Sequence, residues 1–272
     1  MDLRVVHETL FDYTPPVKTA QHMAYLKPLD TTTQRLISHT LSVHPASADF
    51  SETQDVFGNT RSFFSLQAEH DELAVIATSV VSTSAAAAPR STLPWEQVRD
   101  RFHYRAGGEY DAAAGFVFAS PLVPRHEDFA AYARPSFGTG VPLLAAARDL
   151  MARIHGEFRY EPQSTDVSTP ALEALTQRTG VCQDFAHIMV ACLRAMGLPA
   201  RYVSGYLLTQ PPPGQPRLVG SDASHAWVSL YLPDLLPELP GGVQWCDFDP
   251  TNDRFGAGTP GEDYVTLALG RD

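Results

Sequence analysis

Alternating apolar and polar positions dominate residues 1–84 of the chain. In LRVVHETLFDY every second residue, from Leu3 to Tyr13, would lie on one face of a β-strand. DVFGNTRSFFSL places Gly58 and Asn59 between two β-prone runs, which predicts a hairpin. ELAVIATSVVST is rich in Val, Ile and Thr, as buried strands are. Residues 1–84 are therefore predicted to form a β-rich, sandwich-like N-terminal domain.

The pattern changes after this region. Small residues and prolines follow Ser82, so residues 85–141 are interpreted as a linker with connecting segments. VPLLAAARDLMARIHGEF then carries apolar residues at helical spacing. STPALEALTQRTG predicts another helix, with Thr169 as N-cap, Pro170 as first helical residue and Gly180 as the stop.

A third helix is predicted in TGVCQDFAHIMVACLRAMG. Its apolar stripe steps by three and one, and Gly197 and Pro199 end it. Cys182 begins this stripe at the N-terminal end. The stripe consists of Phe185, Ile188, Met189, Cys192, Leu193 and Met196.

Three strand-like segments follow the helices: ARYVSGYLL, SHAWVSLYL and VQWCDFDP. Helices followed by strands predict an α+β core, with a helix packed on an antiparallel sheet, over residues 142–272. The last residues are interpreted as a C-terminal tail. The Pro/Gly-rich stretch 210–223 is predicted to be a surface loop that leads into His225, and whether it borders a cleft stays open.

Composition narrows the class of protein. The chain has 272 residues, a net charge of −11 and a pI of about 5.3, which disfavours nucleic acid and membrane surfaces as partners. We expect neither a signal peptide nor a transmembrane helix, because no long apolar run occurs. Three cysteines fit a reducing compartment, so a cytoplasmic location is predicted.

Candidate chemistry centres on Cys182. The N-terminus of a helix carries partial positive charge, which stabilises a thiolate. His225 begins one strand and Asp249 ends another. If these strands pair, the carboxylate can hold the imidazole, and the imidazole can exchange a proton with the thiol. Each residue alone is more often structural, and Asp247, which shares a face with Asp249, is a rival for the carboxylate role.

The remaining cysteines and a nearby histidine are assigned to packing. Cys192 lies on the apolar stripe, Cys246 lies on the face opposite Trp245, and His187 points away from Cys182. A zinc site built from the cysteines and His187 lacks the close pairing that such sites use. No calcium-binding loop pattern occurs either, so we expect no metal and no cofactor.

Three blocks together resemble a known family. RTGVCQDFAHIMVACLRAMGLPARYVSGYL, SHAWVSLYLP and WCDFDPTN resemble the transglutaminase-like core of the papain-like superfamily. HETLFDYTPPV, LKPLDTTTQ and DVFGN resemble the N-terminal region of its bacterial members, and FASPLVPRHEDFAAYA and EFRYEPQSTDVSTP resemble its connecting segments. The resemblance implies a papain-like fold with Cys182, His225 and Asp249 as a catalytic triad.

By this resemblance Cys182 would attack an amide carbonyl, with its own N–H as one oxyanion donor. The second donor is left open among Tyr160, Gln163 and the amide of Gln183. The expected activity is thiol-dependent hydrolysis of a peptide or protein amide, by a peptidase, isopeptidase or deamidase. Transfer of the acyl group to an amine and non-catalytic peptide binding are the alternatives. The sequence does not indicate an oligomeric state.

Overall fold

A computed structural model describes residues 1–85, 87–107, 110–162, 164–165, 168–208, 224–236 and 244–272. The predicted surface loop 210–223 and the oxyanion candidate Gln163 therefore lie outside the described residues. The proposed domain bounds, 1–84, 85–141 and 142–272, stay a prediction.

Six antiparallel strands form the first part of the chain, as predicted. Two three-stranded sheets have the orders β1-β6-β3 and β2-β5-β4. Phe64 and Leu66 from one sheet pack with Leu73 and Val75 from the other, so the region is a small sandwich. The strands are β1 (Asp2–Val17), β2 (Ala20–Ala24), β3 (Gln34–His44), β4 (Asp49–Gln54), β5 (Thr60–Leu66) and β6 (His70–Thr83).

The alternation along β1 is confirmed for most of its length. Residues 3, 5, 7, 9 and 13 are half-buried, but Phe11 is exposed. The predicted hairpin turn is also present, because β4 and β5 pair around it and Gly58 has φ +85°. Positive φ is a conformation that glycine adopts without steric cost.

Five α-helices follow within the described residues. They are α1 (Trp95–Arg101), α2 (Glu127–Ala133), α3 (Leu143–Glu157), α4 (Ala171–Gln177) and α5 (Cys182–Ala195). The sequence pattern did not indicate α1, whose seven residues are too few for a helical period to stand out. The ends predicted for α4 were each wrong. Pro170 is the N-cap rather than the first helical residue, and Arg178, with φ 56°, ends the helix before Gly180.

Helix α5 is more buried than its apolar stripe suggested. Every residue from Asp184 to Arg194 is buried, so the helix is enclosed on all sides. It packs against helices α2, α3 and α4 and against strands β9 (Ala200–Leu207) and β10 (Ser224–Tyr231). Gly197, with φ +78°, follows its end as predicted. The helix therefore forms the centre of the second core.

An antiparallel five-stranded sheet has the order β12-β11-β10-β9-β13. It adds β11 (Trp245–Asp249), β12 (Arg254–Ala257) and β13 (Tyr264–Leu269) to the strands above. The interpretation of the last residues as a tail was therefore wrong. Ala226, Val228 and Leu230 pack with α5, whereas Trp227 packs with Val203 and Tyr264 in a separate cluster.

The N-terminal sandwich docks on the edge of this sheet at β13. The buried amide of Gln34 accepts from the N–H of Thr266 at 2.8 Å and donates to its carbonyl at 2.9 Å. The buried amide of Asn59 bonds the N–H and the carbonyl of Leu269 in the same way, each at 2.8 Å. These two side chains thus bond backbone groups on the outer edge of β13, where the N–H of Leu29 also donates to the Thr266 carbonyl at 3.2 Å.

Gly205 of β9 should tolerate no side chain. It pairs with His225, and a Cβ there would collide with the carbonyl oxygen of Val265 and lie 2.7 Å from the Trp227 ring. We expect Gly205→Ala to lower the free energy of unfolding by about 2 kcal/mol, the range of overpacked cores. Urea denaturation measures this change.

Gly156→Ala provides the matched control. Nothing lies within 4 Å of a Cβ at Gly156, which is an exposed position of α3. Alanine should stabilise the helix there by about 0.5–1 kcal/mol. Equal stability changes for the two variants would contradict the packing argument at Gly205.

Candidate active site

Cys182 is the first residue of α5 and is partly buried against the main core. Asp184, in the first turn of the helix, fixes this end. Its Oδ2 accepts the N–H of Val181 at 2.8 Å and the hydroxyl of Thr165 at 2.6 Å. Gly180 leaves room for this carboxylate, because a Cβ there would lie 2.7 Å from Oδ2. An acidic residue in the first turn of a helix is a readable capping signal, which the sequence reasoning missed.

His225 and Asp249 meet on adjacent strands, as the sequence predicted. Strands β10 and β11 pair antiparallel, and the Nε2 atom of His225 lies 2.7 Å from Oδ2 of Asp249. His225 is 9% exposed and Asp249 is 0% exposed. The thiol of Cys182 also lies near enough to the imidazole to raise the pKa of His225. Since Nε2 faces the carboxylate, Nδ1 is the ring nitrogen left for the thiol.

The Asp249 carboxylate is surrounded by donors. Its Oδ2 also accepts from Asn252 Nδ2 and from the hydroxyl of Tyr264, each at 2.7 Å. Its Oδ1 accepts the backbone N–H groups of Thr251 at 2.9 Å and Asn252 at 3.3 Å. Burial alone would raise the pKa of Asp249, but these bonds and the charge of His225 hold that pKa below its usual value. The carboxylate is therefore charged at neutral pH.

Opposing effects also act on the imidazole. Burial lowers the pKa of His225, but the bond to Asp249 and the nearby thiol of Cys182 outweigh burial and raise that pKa to about 9. The ring therefore holds its second proton at neutral pH. A pKa above the usual 6.5 contributes stability that is fully present below that pH and is lost as the pH rises through about 9.

Asp247 belongs to a different set of contacts from Asp249. Its Oδ2 accepts the indole N–H of Trp227 at 2.9 Å, and burial raises its pKa. It lines a cavity of about 520 Å³ together with Arg201 and Trp245. The Trp227 ring stacks on His225 with centroids 6.1 Å apart, so Trp227 lies between Asp247 and the imidazole in this chain of contacts. The geometry thus favours Asp249 over Asp247 as the partner of His225.

The other cysteines and His187 lie in the core, as expected. Burial raises the pKa of the thiols of Cys192 and Cys246. His187 stacks on Tyr202 at 4.6 Å, and burial lowers its pKa to about 4. Among the described residues, no group of three His, Cys, Asp or Glu side chains is arranged to hold a metal ion. No helix in the described part of the chain is long and apolar enough to cross a membrane.

The second oxyanion donor stays a prediction. Tyr160 lies in the short strand β7 (Arg159–Tyr160) and is half exposed, with its ring edge-on to Phe185 at 6.3 Å. Strand β7 pairs with β8 (Thr179–Gly180), which leads directly into Cys182. The N–H groups of Cys182 and Gln183 lie in the first turn of α5, where a helix offers no internal acceptor.

Two residues at the site were not predicted from the sequence. Asn252 follows Asp249 in the Asp-Pro-Thr-Asn turn, and such side chains often bond nearby groups in turns. Tyr264 had no local signal, because its contact with Asp249 depends on the position of β13 in the sheet. Both residues donate to the oxygen that His225 also uses.

A thiol at the start of a helix, an imidazole near it and a buried carboxylate behind that imidazole form the arrangement that Cys-His-Asp thiol enzymes use. Comparisons with known proteins agree. The Transglutaminase-like superfamily profile matches residues 130–250, and the Bacterial transglutaminase-like N-terminal region matches residues 3–82. This chain belongs to the transglutaminase-like superfamily.

Relatives extend over nearly the whole chain. Rv2569c of Mycobacterium tuberculosis is 38% identical over 99% of this chain and 83% of its own length. ML0607 of Mycobacterium leprae is 32% identical over 99% and 88%. A solved structure, named "a Putative Cysteine Protease" from Cytophaga hutchinsonii, superposes with a TM-score of 0.71. It is 22% identical and covers 100% of this chain and 84% of that one, which shows the shared fold.

We expect Cys182 to be the thiol that reacts with iodoacetamide at neutral pH. Cys182 is partly exposed, whereas Cys192 and Cys246 are buried and their thiols keep their protons. Mass spectrometry of peptides from the folded protein should find the adduct on Cys182, and Cys182→Ala should remove it. Cys192→Ser is the matched control. Equal labelling of Cys192 in the folded protein would contradict this assignment.

Asp249→Asn and Asp247→Asn should separate the two aspartates. We expect Asp249→Asn to lower the pKa of His225 from about 9 toward 6.5, because the charged partner of the imidazole is lost. Asp247→Asn should leave that pKa near 9. NMR titration of the His225 imidazole measures both variants. A larger effect of Asp247→Asn would make Asp247 the functional carboxylate.

Proposed function

We propose that this protein is a thiol-dependent amide hydrolase that acts through Cys182, His225 and Asp249. The observation that carries the proposal is the imidazole of His225, which bonds Asp249 through Nε2 and also reaches the thiol of Cys182. Although burial opposes it, these partners raise the pKa of His225 to about 9, so the proposed reaction begins with an imidazolium beside the sulfur of Cys182.

The reaction would proceed in two steps. The Cys182 sulfur attacks the amide carbonyl carbon, a C–S bond forms, and His225 gives its proton to the departing amine as the C–N bond breaks. His225 then takes a proton from water, whose oxygen attacks the thioester. The C–S bond breaks, the carboxylic acid leaves, and the thiolate of Cys182 and the imidazolium of His225 are restored. Asp249 orients the imidazole and balances its charge in both steps.

The oxyanion of each tetrahedral intermediate requires donors. The N–H of Cys182 lies in the first turn of α5, where amide groups point away from the helix and the helix dipole favours negative charge. An oxyanion at this position would gain electrostatic stabilisation in both steps. This supports acyl transfer through Cys182 whichever nucleophile follows.

Transfer of the acyl group to an amine is the second candidate. It uses the same thioester, and only the second nucleophile differs. A Pseudomonas aeruginosa protein named protein-glutamine gamma-glutamyltransferase is 32% identical to this chain over 115 residues, which are 39% of this chain and 16% of that protein. Transfer also requires a site that binds the amine and excludes water. We rank hydrolysis first because water needs no such site.

A peptide or protein amide is the proposed substrate class. The chain's net charge of −11 disfavours strongly acidic substrates. The three free cysteines keep the prediction of a cytoplasmic location in place. A non-catalytic peptide-binding protein would not need a charged carboxylate buried behind an imidazole, because burying a charge is costly.

The experiment combines a glutamine-containing protein with a labelled primary amine. Hydrolysis predicts new peptide termini, or conversion of glutamine to glutamate, without amine incorporation. Both products should be absent with Cys182→Ala and persist with Cys192→Ser. Mass spectrometry separates the products.

Each remaining outcome changes the proposal. Amine incorporation that depends on Cys182 would establish the transferase instead. Binding of the protein substrate with equal affinity by wild type and Cys182→Ala, with no product from either, would favour the peptide-binding alternative.

A further inference from the structure

Tyr264 reaches the candidate site from the far side of the sheet. It lies in β13, which is separated from β11 by both β9 and β10. Its hydroxyl nevertheless donates to Oδ2 of Asp249 at 2.7 Å, the same length as the bond from His225. A tyrosine is long enough to make this connection only if the side chains between the two strands leave it room.

The ring of Tyr264 is fixed by its surroundings. It packs edge-on against Trp227 at 5.4 Å and lies 5.9 Å from His225. Gly205 leaves the space over β9 that the Trp227 ring fills. On another side the guanidinium of Arg254 lies 4.8 Å from the Tyr264 ring and is held by two bonds to Asp263, each 2.7 Å. The hydroxyl therefore has a defined position.

Tyr264 and Asn252 donate to the same oxygen but constrain it differently. Asn252 lies three residues after Asp249 in one turn, so it moves with the carboxylate. Tyr264 comes from another strand, and its hydrogen bond links Asp249 to the rest of the sheet. Burial and the nearby carboxylate raise the pKa of Tyr264, so its hydroxyl keeps the proton that it donates. It thus limits rotation of the Asp249 side chain.

Strand β13 in turn depends on the N-terminal sandwich. Gln34 bonds both backbone groups of Thr266, and Asn59 bonds both backbone groups of Leu269. Val81 of β6 packs with Val265 and Leu267 of β13. The outer edge of β13 is therefore fixed by the sandwich, and its inner edge is fixed by β9.

We propose that Tyr264 is a positioning residue that orients Asp249, and through Asp249 the imidazole of His225, and that the N-terminal sandwich holds Tyr264 in place through Gln34. The inference rests on the proposed function, in which His225 acts on the thiol of Cys182. The N-terminal sandwich then has a role in the site although the contacts described above place it at the sheet edge, away from Cys182.

The test is the pH profile of Cys182 modification by iodoacetate, which needs no substrate. This anionic probe is attracted by the imidazolium, so its rate should fall as His225 loses its proton, with a midpoint near pH 9. Tyr264→Phe keeps the ring and removes the hydroxyl. We expect the rate at neutral pH to be roughly three- to tenfold lower, because one hydrogen bond is lost. The alkaline midpoint of the profile should move to lower pH.

Tyr206→Phe is the matched control. Tyr206 is a buried tyrosine of the neighbouring strand, and its hydroxyl bonds the ring of His7 at 2.8 Å instead of the triad. Its profile should equal that of the wild type. Thermal unfolding of both variants checks that each is folded at the assay temperature. An unchanged profile for folded Tyr264→Phe would overturn the proposal.

Gln34→Met tests the role of the sandwich with a second variant. It keeps the side-chain length and removes both bonds to Thr266. We expect a lower iodoacetate rate in the wild-type background and no further loss in the Tyr264→Phe background. Gln244→Met, which also loses a bond to a backbone carbonyl but lies next to Tyr231, should leave the rate unchanged. Equal losses from Gln34→Met in both backgrounds would show that Gln34 does not act through Tyr264.

The wild-type profile distinguishes failure of the proposed function from failure of the role proposed for Tyr264. If the wild-type rate shows no alkaline fall near pH 9, the Cys182–His225 pair of the proposed function is wrong, and the inference falls with it. If the wild type shows that fall and Tyr264→Phe reproduces it unchanged, the pair stands and only the role of Tyr264 is wrong.

Discussion

A charged carboxylate that no solvent reaches is the constraint on which the rest of this site depends. Asp249 is 0% exposed, and an unpaired charge at such a position would be strongly destabilising. Its charge is sustained by donors from β10, from the turn after β11 and from β13. The carboxylate therefore connects three parts of the sheet and, through His225, the start of α5.

Packing fixes the position of α5 in a similar way. A helix enclosed on all sides serves as the centre of the core, so its ends are fixed by packing along its whole length. Asp184 then fixes the first turn by bonding Val181 and Thr165. The position of the Cys182 sulfur thus follows from the core, and the site needs little structure of its own. Rigid support of this kind is what a preformed reaction geometry requires.

The sequence predicted those parts of the site that follow from local periodicity. Alternation along β10 and β11 placed His225 and Asp249 on matching faces, and the helical stripe placed Cys182 at a helix start. Tyr264 could not be found in this way, because its partner depends on strand order and on the register shift near Thr266. Helix α1 and strands β12 and β13 are short, so their patterns carry too few periods to be recognised.

Asp247 and Asp249 show why residue type and spacing are not sufficient. They lie two residues apart on one strand, on the same face, and both are buried. Asp249 receives an imidazole, an amide and a hydroxyl, which hold its pKa down. Asp247 receives the Trp227 indole and lies near Arg201, yet burial dominates and raises its pKa. Moving two residues along the strand therefore changes which strands and loops lie opposite the carboxylate. These neighbours determine whether the carboxylate is suited to stabilise a protonated imidazole.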